Sequence, residues 1–515
     1  MNPVRYSSED PMRDSSDQPI VIALDIGSSG IKAIAFDLQA HAVPGLLARA
    51  PFALEVTHDG GSEINLPRLE QAVCKVMDEL HAKLGRCEVL AVALTGFAPS
   101  LVALDAEARA IAPALSYADT RSFDFASALN NQNLHDQNLT DRTGHPAHPS
   151  LWSAQIPWWM AQHPEIDVRH WLTVPDYILS RWFGLEHLKT TYSLAAWTGM
   201  LDRHNLEWDR QSLERLKLET SKFLPLADHD AAQIGLPEPW RSRWPRFGQV
   251  PFFPAIGDGA AANIGSGAIG PKSIALTVGT TAAVRVALIS PLAKAAPTIP
   301  AGLWAYRITR DCALIGGALT EGGNLFAWAQ KTLRLETGIT GDLESQLAAQ
   351  TARFGPDAHG LTLIPSFAGE RSPGYRPKAR GTIHGLSLAS TPLEMLSAAL
   401  EGITYRLADL IARLEPILEP APQVILSGNA ILSSAFWSQM LADALGNVPV
   451  TPCDEPEATA RGAAILALVA LGLGDLESFP ARLGTRLEVN SERYERYQKG
   501  LERQRELIRN LTDRS

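Results

Sequence analysis

The chain has 515 residues, 45% of them apolar and 20% charged, which is the composition of a soluble globular protein with room for two or three domains. Its net charge of -10 argues against a nucleic-acid partner, while leaving open an anionic small molecule held at a local basic site. No apolar run approaches the ~18 residues of a membrane helix, and the first residues lack an apolar signal core. The four cysteines, Cys74, Cys87, Cys312 and Cys453, show no C-x-x-C spacing. A cytoplasmic protein with reduced thiols and no membrane association is therefore expected.

Residues 1–18 are polar and read as a disordered tail. Residues 22–35, IALDIGSSGIKAIA, then give an apolar run, a Gly-hydroxyl-hydroxyl turn and a second apolar run, the pattern of a β-hairpin. The same pattern returns a domain's length later as IALTVGTTAAVRVA at 274–287, so the chain carries an internal repeat. Gly27 and Gly279 permit close backbone approach at the two turns. The turn N–H groups, with the hydroxyls of Ser28, Ser29, Thr280 and Thr281, can form nests for phosphate oxygens. Two such hairpins would grip a polyphosphate between two domains. Asp25 is the only carboxylate in either turn region, its counterpart being Thr277. A single carboxylate among phosphates suggests a Mg²⁺ site. Lys32 on the outgoing strand is a candidate phosphate contact, or else a solvated edge-strand lysine.

Asp119 and Arg121 follow in YADTRS, 117–122. An arginine fork suits a carboxylate and an aspartate accepts sugar hydroxyls, although the two also read as a structural ion pair. His145 and His148 lie in a Pro-rich loop and read equally well as structural residues. The Pro- and Trp-rich stretch 222–254 shows no catalytic pattern, and its aromatics read as packing. It leads into IGDGAAANIGSGA, where Asp258 stands between two glycines ahead of a small-residue helix. Asp is a favoured N-cap. In front of a phosphate hairpin it also suits the proton acceptor that phosphoryl transfer to an alcohol requires. Residues 265–270, GSGAIG, match a dinucleotide fingerprint, but here the helix comes before the glycines and the strand after, which is the wrong order. Further on, CALIGGALT reads as a strand, and Gly322-Gly323 should open the next helix, either beneath a nucleotide or as a close-packing point. The last helix, SERYERYQKGLERQRELIRNL, places Tyr494, Tyr497, Leu501, Ile508 and Leu511 on one face that should dock on the body.

Together these segments resemble the FGGY carbohydrate kinase family, which includes glycerol, xylulose and gluconate kinases. LDIGSSGIKAIAFD resembles its first phosphate motif, IGDGAAANIGSGA its catalytic-aspartate segment and LTVGTTAAVRV its second phosphate motif. Residues 381–407 resemble the C-terminal signature, 426–450 the adenosine-binding segment and 457–468 the small-residue helix after it. The resemblance implies an α/β fold of two RNase-H-like domains of the actin/Hsp70 ATPase type with a cleft between them. We place the first domain at 19–268, with the acceptor sugar and first hairpin, and the second at 269–515, with ATP. It further implies Asp258 as general base and acceptor contact, Asp25 as the Mg²⁺ ligand, and Gly323, Gly428, Asn429 and Ser433 as nucleotide contacts. Asp119, Arg121 and His148 are then acceptor contacts. ATP and Mg²⁺ are the implied cofactors, a small sugar or sugar acid the partner, and a homodimer the expected assembly.

Within the family, YADTRS, RTGHPAHPS, HPEI (163–166), TTYSLAAWTGMLD (190–202) and GERSP (369–373) look most like gluconate kinases, with xylulose, another ketose or a polyol as the alternative acceptor. The chain departs from the family pattern in three places. The loop TGFAPS, 95–100, lacks the usual histidine; Gln155 replaces a lysine, with Trp152 replacing a small residue; and Asn429 follows Gly428 where a second glycine is usual. Actin-like ATPases share the hairpins but not the Asp258 segment, and a silent sugar-binding regulator would not need both Asp25 and Asp258.

Overall fold

The computed structural model describes residues 18–133, 138–289, 296–335 and 342–512. The expected tail, save Gln18, lies outside the described residues. Two six-stranded mixed sheets organise the chain. In the first, Ala42–Pro51, Gly30–Phe36, Pro19–Gly27, Glu88–Gly96 and Pro251–Gly257 lie side by side, with the short Gln233–Ile234 on the far edge. The first three of these strands are antiparallel, and the next two join Pro19–Gly27 in parallel. The second sheet repeats this order with Cys312–Leu319, Ala282–Ile289, Ser273–Val278, Gln423–Ser427 and Val450–Pro452, and adds Trp304–Thr309 at its antiparallel edge. Each sheet has the 3-2-1-4-5 strand order of an RNase-H-like domain.

The central strands are continuous apolar runs because helices cover both faces of a parallel region. Ile20–Leu24 and Ile26 are fully buried in one core, and Ile274, Leu276 and Val278 in another. The helix Ala458–Ala470 falls within the stretch assigned from sequence to the second domain. Its Ala460, Ala463, Ala464 and Ile465 are instead buried in the first core. The reason is size. A Cβ on Gly265 would meet the Ala458 carbonyl oxygen at 1.7 Å, and one on Gly462 would meet that of Ala261 at 1.9 Å. Two glycines and a run of alanines thus let this helix lie backbone to backbone against helix Asp258–Gly265.

The aromatics of 222–254 are packing residues: Trp244, Phe247 and Phe252 are fully buried, and Trp182 meets Trp244 edge-on at 5.4 Å. The final helix, Ser491–Thr512, docks through Tyr497, Gly500, Leu501 and Gln504, with Gly500 lying directly over Tyr405. Leu511, expected on the docked face, is 45% exposed because it borders, with Ile508, an open pocket beside Ile364 and Arg376.

Candidate active site

Both repeats are hairpins. Gly27 faces Gly30 across the first turn, and Val278 faces Ala282 across the second. A Cβ on Gly27 would stand 2.8 Å from the Gly30 carbonyl oxygen, so the first turn requires a glycine, whereas Gly279 faces open space. Gly279 donates its N–H to the Thr281 carbonyl within the turn, at 2.9 Å. No acceptor among the described residues takes the N–H groups of Ser28, Ser29, Thr280 or Thr281. The Ser28 hydroxyl lies 3.2 Å from the Tyr117 hydroxyl.

A cavity of about 430 Å³ opens between the halves, lined by Asp25 and Lys32 from the first and by Thr277, Gly428 and Asn429 from the second, with Glu457 on its rim. This falls within the size range of small-molecule sites. Gly428 has φ +99°, and a Cβ there would sit 2.4 Å from the Val278 carbonyl oxygen. Two of the expected nucleotide contacts are not part of this cavity's lining. Ser433 is exposed and bonds the Ala430 carbonyl at the end of the short helix Asn429–Leu432. Gly323 donates to the Gly279 carbonyl at 2.8 Å, and a Cβ on it would meet Ala430 at 2.7 Å. It is the close-packing point that ties the second turn to helix Gly323–Thr332. Lys32 is also engaged, 2.7 Å from Glu457, so the charge expected to meet phosphate closes the first hairpin onto the start of the alanine-rich helix.

Asp25 is 8% exposed, and no donor among the described residues bonds its carboxylate. Burial pushes it up to about 7; Lys32, opposite it in the hairpin register, works against this, and Asp258 and Glu457 add to it. A buried carboxylate with no protein donor, among other carboxylates, fits a hard divalent cation such as Mg²⁺.

Asp258 is the first residue of helix Asp258–Gly265, and Gly257 is the N-cap. Among the described residues the carboxylate accepts only the Gly259 N–H, at 2.7 Å, so it does not cap the helix. Its position is fixed from behind. The parallel ladder breaks between Phe253 and Ile256, and hydroxyls replace the lost bonds. Thr191 donates to the Ala255 carbonyl at 2.6 Å, Thr95 to that of Ile256 at 3.0 Å, and the Gly257 N–H reaches Ser193 at 3.1 Å. Burial pushes Asp258 up to about 6, against the Gly259 N–H and the positive charge of Arg285. The helix N-terminus favours the carboxylate form as well. A carboxyl of that strength, without a salt-bridge partner among the described residues, suits proton acceptance near neutral pH.

Asp119 and Arg121 are committed to each other. Arg121 Nη2 lies 2.7 Å from Asp119 and 2.8 Å from Glu63, with the guanidinium 4.6 Å over the Trp158 ring. Asp119 also accepts the Ser62 N–H and is 1% exposed. The expected acceptor-reading pair is thus an internal tie that holds the 117–122 loop, with both carboxylate and fork occupied. The loop 95–100 carries Phe97, buried and edge-on to Tyr117, where the family pattern has a histidine. Trp152 fills the space behind it and donates to the Ser100 carbonyl at 2.8 Å.

His145 is wedged between Tyr306, stacked at 6.0 Å, and Tyr375, edge-on at 5.3 Å. Burial lowers it to about 4. His148 is held well below the usual range by burial and by Arg371. The Ser150 N–H donates to its Nδ1 at 3.2 Å, so the neutral ring carries its proton on Nε2. Sequence reasoning passed over Arg285, Arg371 and Trp197, all of which surround Asp258 or these histidines. Arg285 could have been noticed as one charge inside the otherwise apolar strand Ala282–Ile289.

The comparisons with known proteins agree with this geometry. Residues 20–265 match the N-terminal domain of the FGGY family of carbohydrate kinases, and residues 274–471 match its C-terminal domain. The chain belongs to that family. It is an ATP-dependent carbohydrate kinase, with ATP as one substrate and a sugar as the other. It is 27% identical to the gluconokinase of Bacillus licheniformis over 88% of either chain. The xylulose kinase and the gluconate kinase of Lactobacillus acidophilus match its fold equally, each with TM-score 0.86 at 24% identity over 96% of this kinase and 98% of the other chain. The fold match therefore does not distinguish the two acceptors.

Proposed function

We propose that this kinase transfers the γ-phosphoryl group of ATP to a hydroxyl of a small open-chain sugar acid, gluconate above all, with Asp258 as the general base. The observation that carries this is the Asp258 carboxylate itself: half-buried, without a salt bridge among the described residues, raised to about 6 and aligned by three hydroxyls at the end of the strand before it. The base takes the acceptor proton as the oxygen attacks, and the remaining requirement is positioning and charge neutralisation. The turn N–H groups of Thr280 and Thr281 supply donors for phosphate oxygens, and Gly428 and Asn429 line the nucleotide side. Asp25 would hold Mg²⁺, which when bound neutralises charge on the transferred group. Likeness to a gluconokinase supports the acid acceptor. A ketose such as xylulose is the second reading, supported by the equal fold match to a xylulose kinase.

The test is a coupled ADP-release assay over gluconate, pentuloses, hexuloses and polyols, run on wild type and Asp258→Asn. Asparagine keeps the shape and removes proton acceptance. Turnover should fall by roughly 10²–10⁴-fold, the worth of a positioned base, with ATP binding preserved. Near-wild-type turnover would refute the base assignment, and a wild-type preference for xylulose over gluconate would refute the acid.

A further inference from the structure

Among the described residues, the one side chain with two buried donors that lack an acceptor stands beside Asp258. Arg285 Nε and Nη1 are buried without an acceptor among the described residues, and so is Trp197 Nε1. Buried arginines elsewhere are fully engaged. Arg461 bonds the carbonyls of Ala40, Gly265, Phe479 and Pro480, Arg203 bonds Asp141 and Pro297, and Arg406 lies 2.6 Å from Glu370. A buried donor left unmade is costly, and a charged one more so. An unpaired guanidinium in a folded core therefore points to an acceptor that arrives from outside.

The surroundings say where it arrives. Arg285 crosses over Gly316, whose missing Cβ would lie 3.2 Å from the arginine Cγ, and its Nε lies 3.5 Å from where a Cβ on Gly259 would stand, next to Asp258. Trp197 closes the other side of Gly257 and Gly259 and stacks on Tyr306 at 4.1 Å. Arg371 is near enough to act electrostatically on Arg285, His145, His148 and Tyr306, and its carbonyl accepts the N–H of Tyr375, the ring edge-on to His145. Its neighbour Glu370 is taken by Arg376 and Arg406, and Arg371 has no side-chain partner among the described residues. Two guanidinium groups without a salt bridge among the described residues thus act on the aromatic-walled surroundings of the base, where the only negative charge that Arg285 feels is that of Asp258. The γ-phosphate is a poor candidate to pair with them. Arg285 lies four residues along the strand from Thr281, ~13 Å of backbone at strand rise from the turn that would seat the phosphate, and its guanidinium turns to the Gly259 side instead.

We infer that Arg285 and Arg371 form the receptor for a carboxylate on the acceptor, holding it so that a hydroxyl further along the chain meets Asp258. This rests on the sugar-acid reading above and assigns the residues that enforce it. Arg285 offers a planar fork for bidentate recognition, and Arg371 adds a second charge.

The test uses Arg285→Gln and Arg371→Gln, with kcat/KM measured for gluconate and for xylulose, KM for ATP, and thermal unfolding of the ligand-free proteins. Each change should cost gluconate roughly ten-fold to a hundred-fold, the worth of a charge-assisted bond, and weaken calorimetric gluconate binding alike. Xylulose and ATP should change far less, and the ligand-free Tm should hold or rise, because a buried unpaired charge has been removed. Equal losses on both sugars, a raised KM for ATP or a clear drop in Tm for both variants would overturn the assignment, since each makes the arginines positional, phosphate-binding or structural. A wild type that uses xylulose and ignores gluconate would instead overturn the sugar-acid reading on which the assignment rests.

Discussion

The two hairpins share a shape and differ in charge. In the first, Asp25 faces Lys32 across the ladder, and Lys32 reaches on to Glu457. In the second, Thr277 occupies the aspartate's place and pairs its hydroxyl with that of Ser427 at 2.9 Å. A duplicated scaffold has therefore kept its backbone geometry twice and its carboxylate once. Two carboxylates facing one polyphosphate would repel it; one, neutralised by a cation, helps to hold it.

The largest effect should come from erasing that difference. Asp25→Thr makes the first hairpin a copy of the second, and turnover should fall on the order of a hundred-fold or more, as for loss of a preorganised electrostatic group. The Mg²⁺ needed for half-maximal rate should rise, and an unchanged Mg²⁺ titration would break the comparison. A smaller effect is expected from pH. Neither the second turn nor its partner Ser427 titrates, whereas Asp258 on the first side is raised to about 6. A base must be deprotonated, so kcat/KM should be full above that value and fall about ten-fold per unit as pH drops through it. The residual rate of Asp258→Asn should lack this limb; a limb of the same midpoint in that variant would assign it to another group. The smallest effect belongs to Lys32→Met. Because the lysine is already paired, KM for ATP should rise only a few-fold, about the worth of a partly exposed ion pair. A loss as large as that of Asp25→Thr would mean that Lys32 leaves Glu457 to bind phosphate.

The fold was legible in the sequence where the signal is local, and so was the placing of the candidate residues on turns and helix starts. Strand–turn–strand patterns at 22–35 and 274–287, and an aspartate between glycines before a small-residue helix, are each written within about fifteen residues. What stayed open depends on a distant partner. Arg121 reads as an acceptor fork or as an ion pair with Asp119, and Glu63, on a separate strand, adds a partner that the sequence does not announce. Lys32 reads as a phosphate contact or a solvated edge-strand lysine, and its pairing with Glu457, from the far end of the chain, is neither. Arg285 was missed outright, since a charge in an apolar strand is passed over unless one asks what it lacks. Gly323 and Ser433 were placed by family pattern, and here packing and a local turn bond claim them.

The contact between helices Asp258–Gly265 and Ala458–Ala470 also governs how the protein can be assembled. The helix that carries Asp258 is sealed on its outer side by a segment synthesised almost two hundred residues later. During translation the first half must wait with an open groove of alanine and glycine, and its core closes only after the second sheet has been made. Cutting the gene between the two matched regions would leave the first product without that seal, so the halves should recover activity only when produced together.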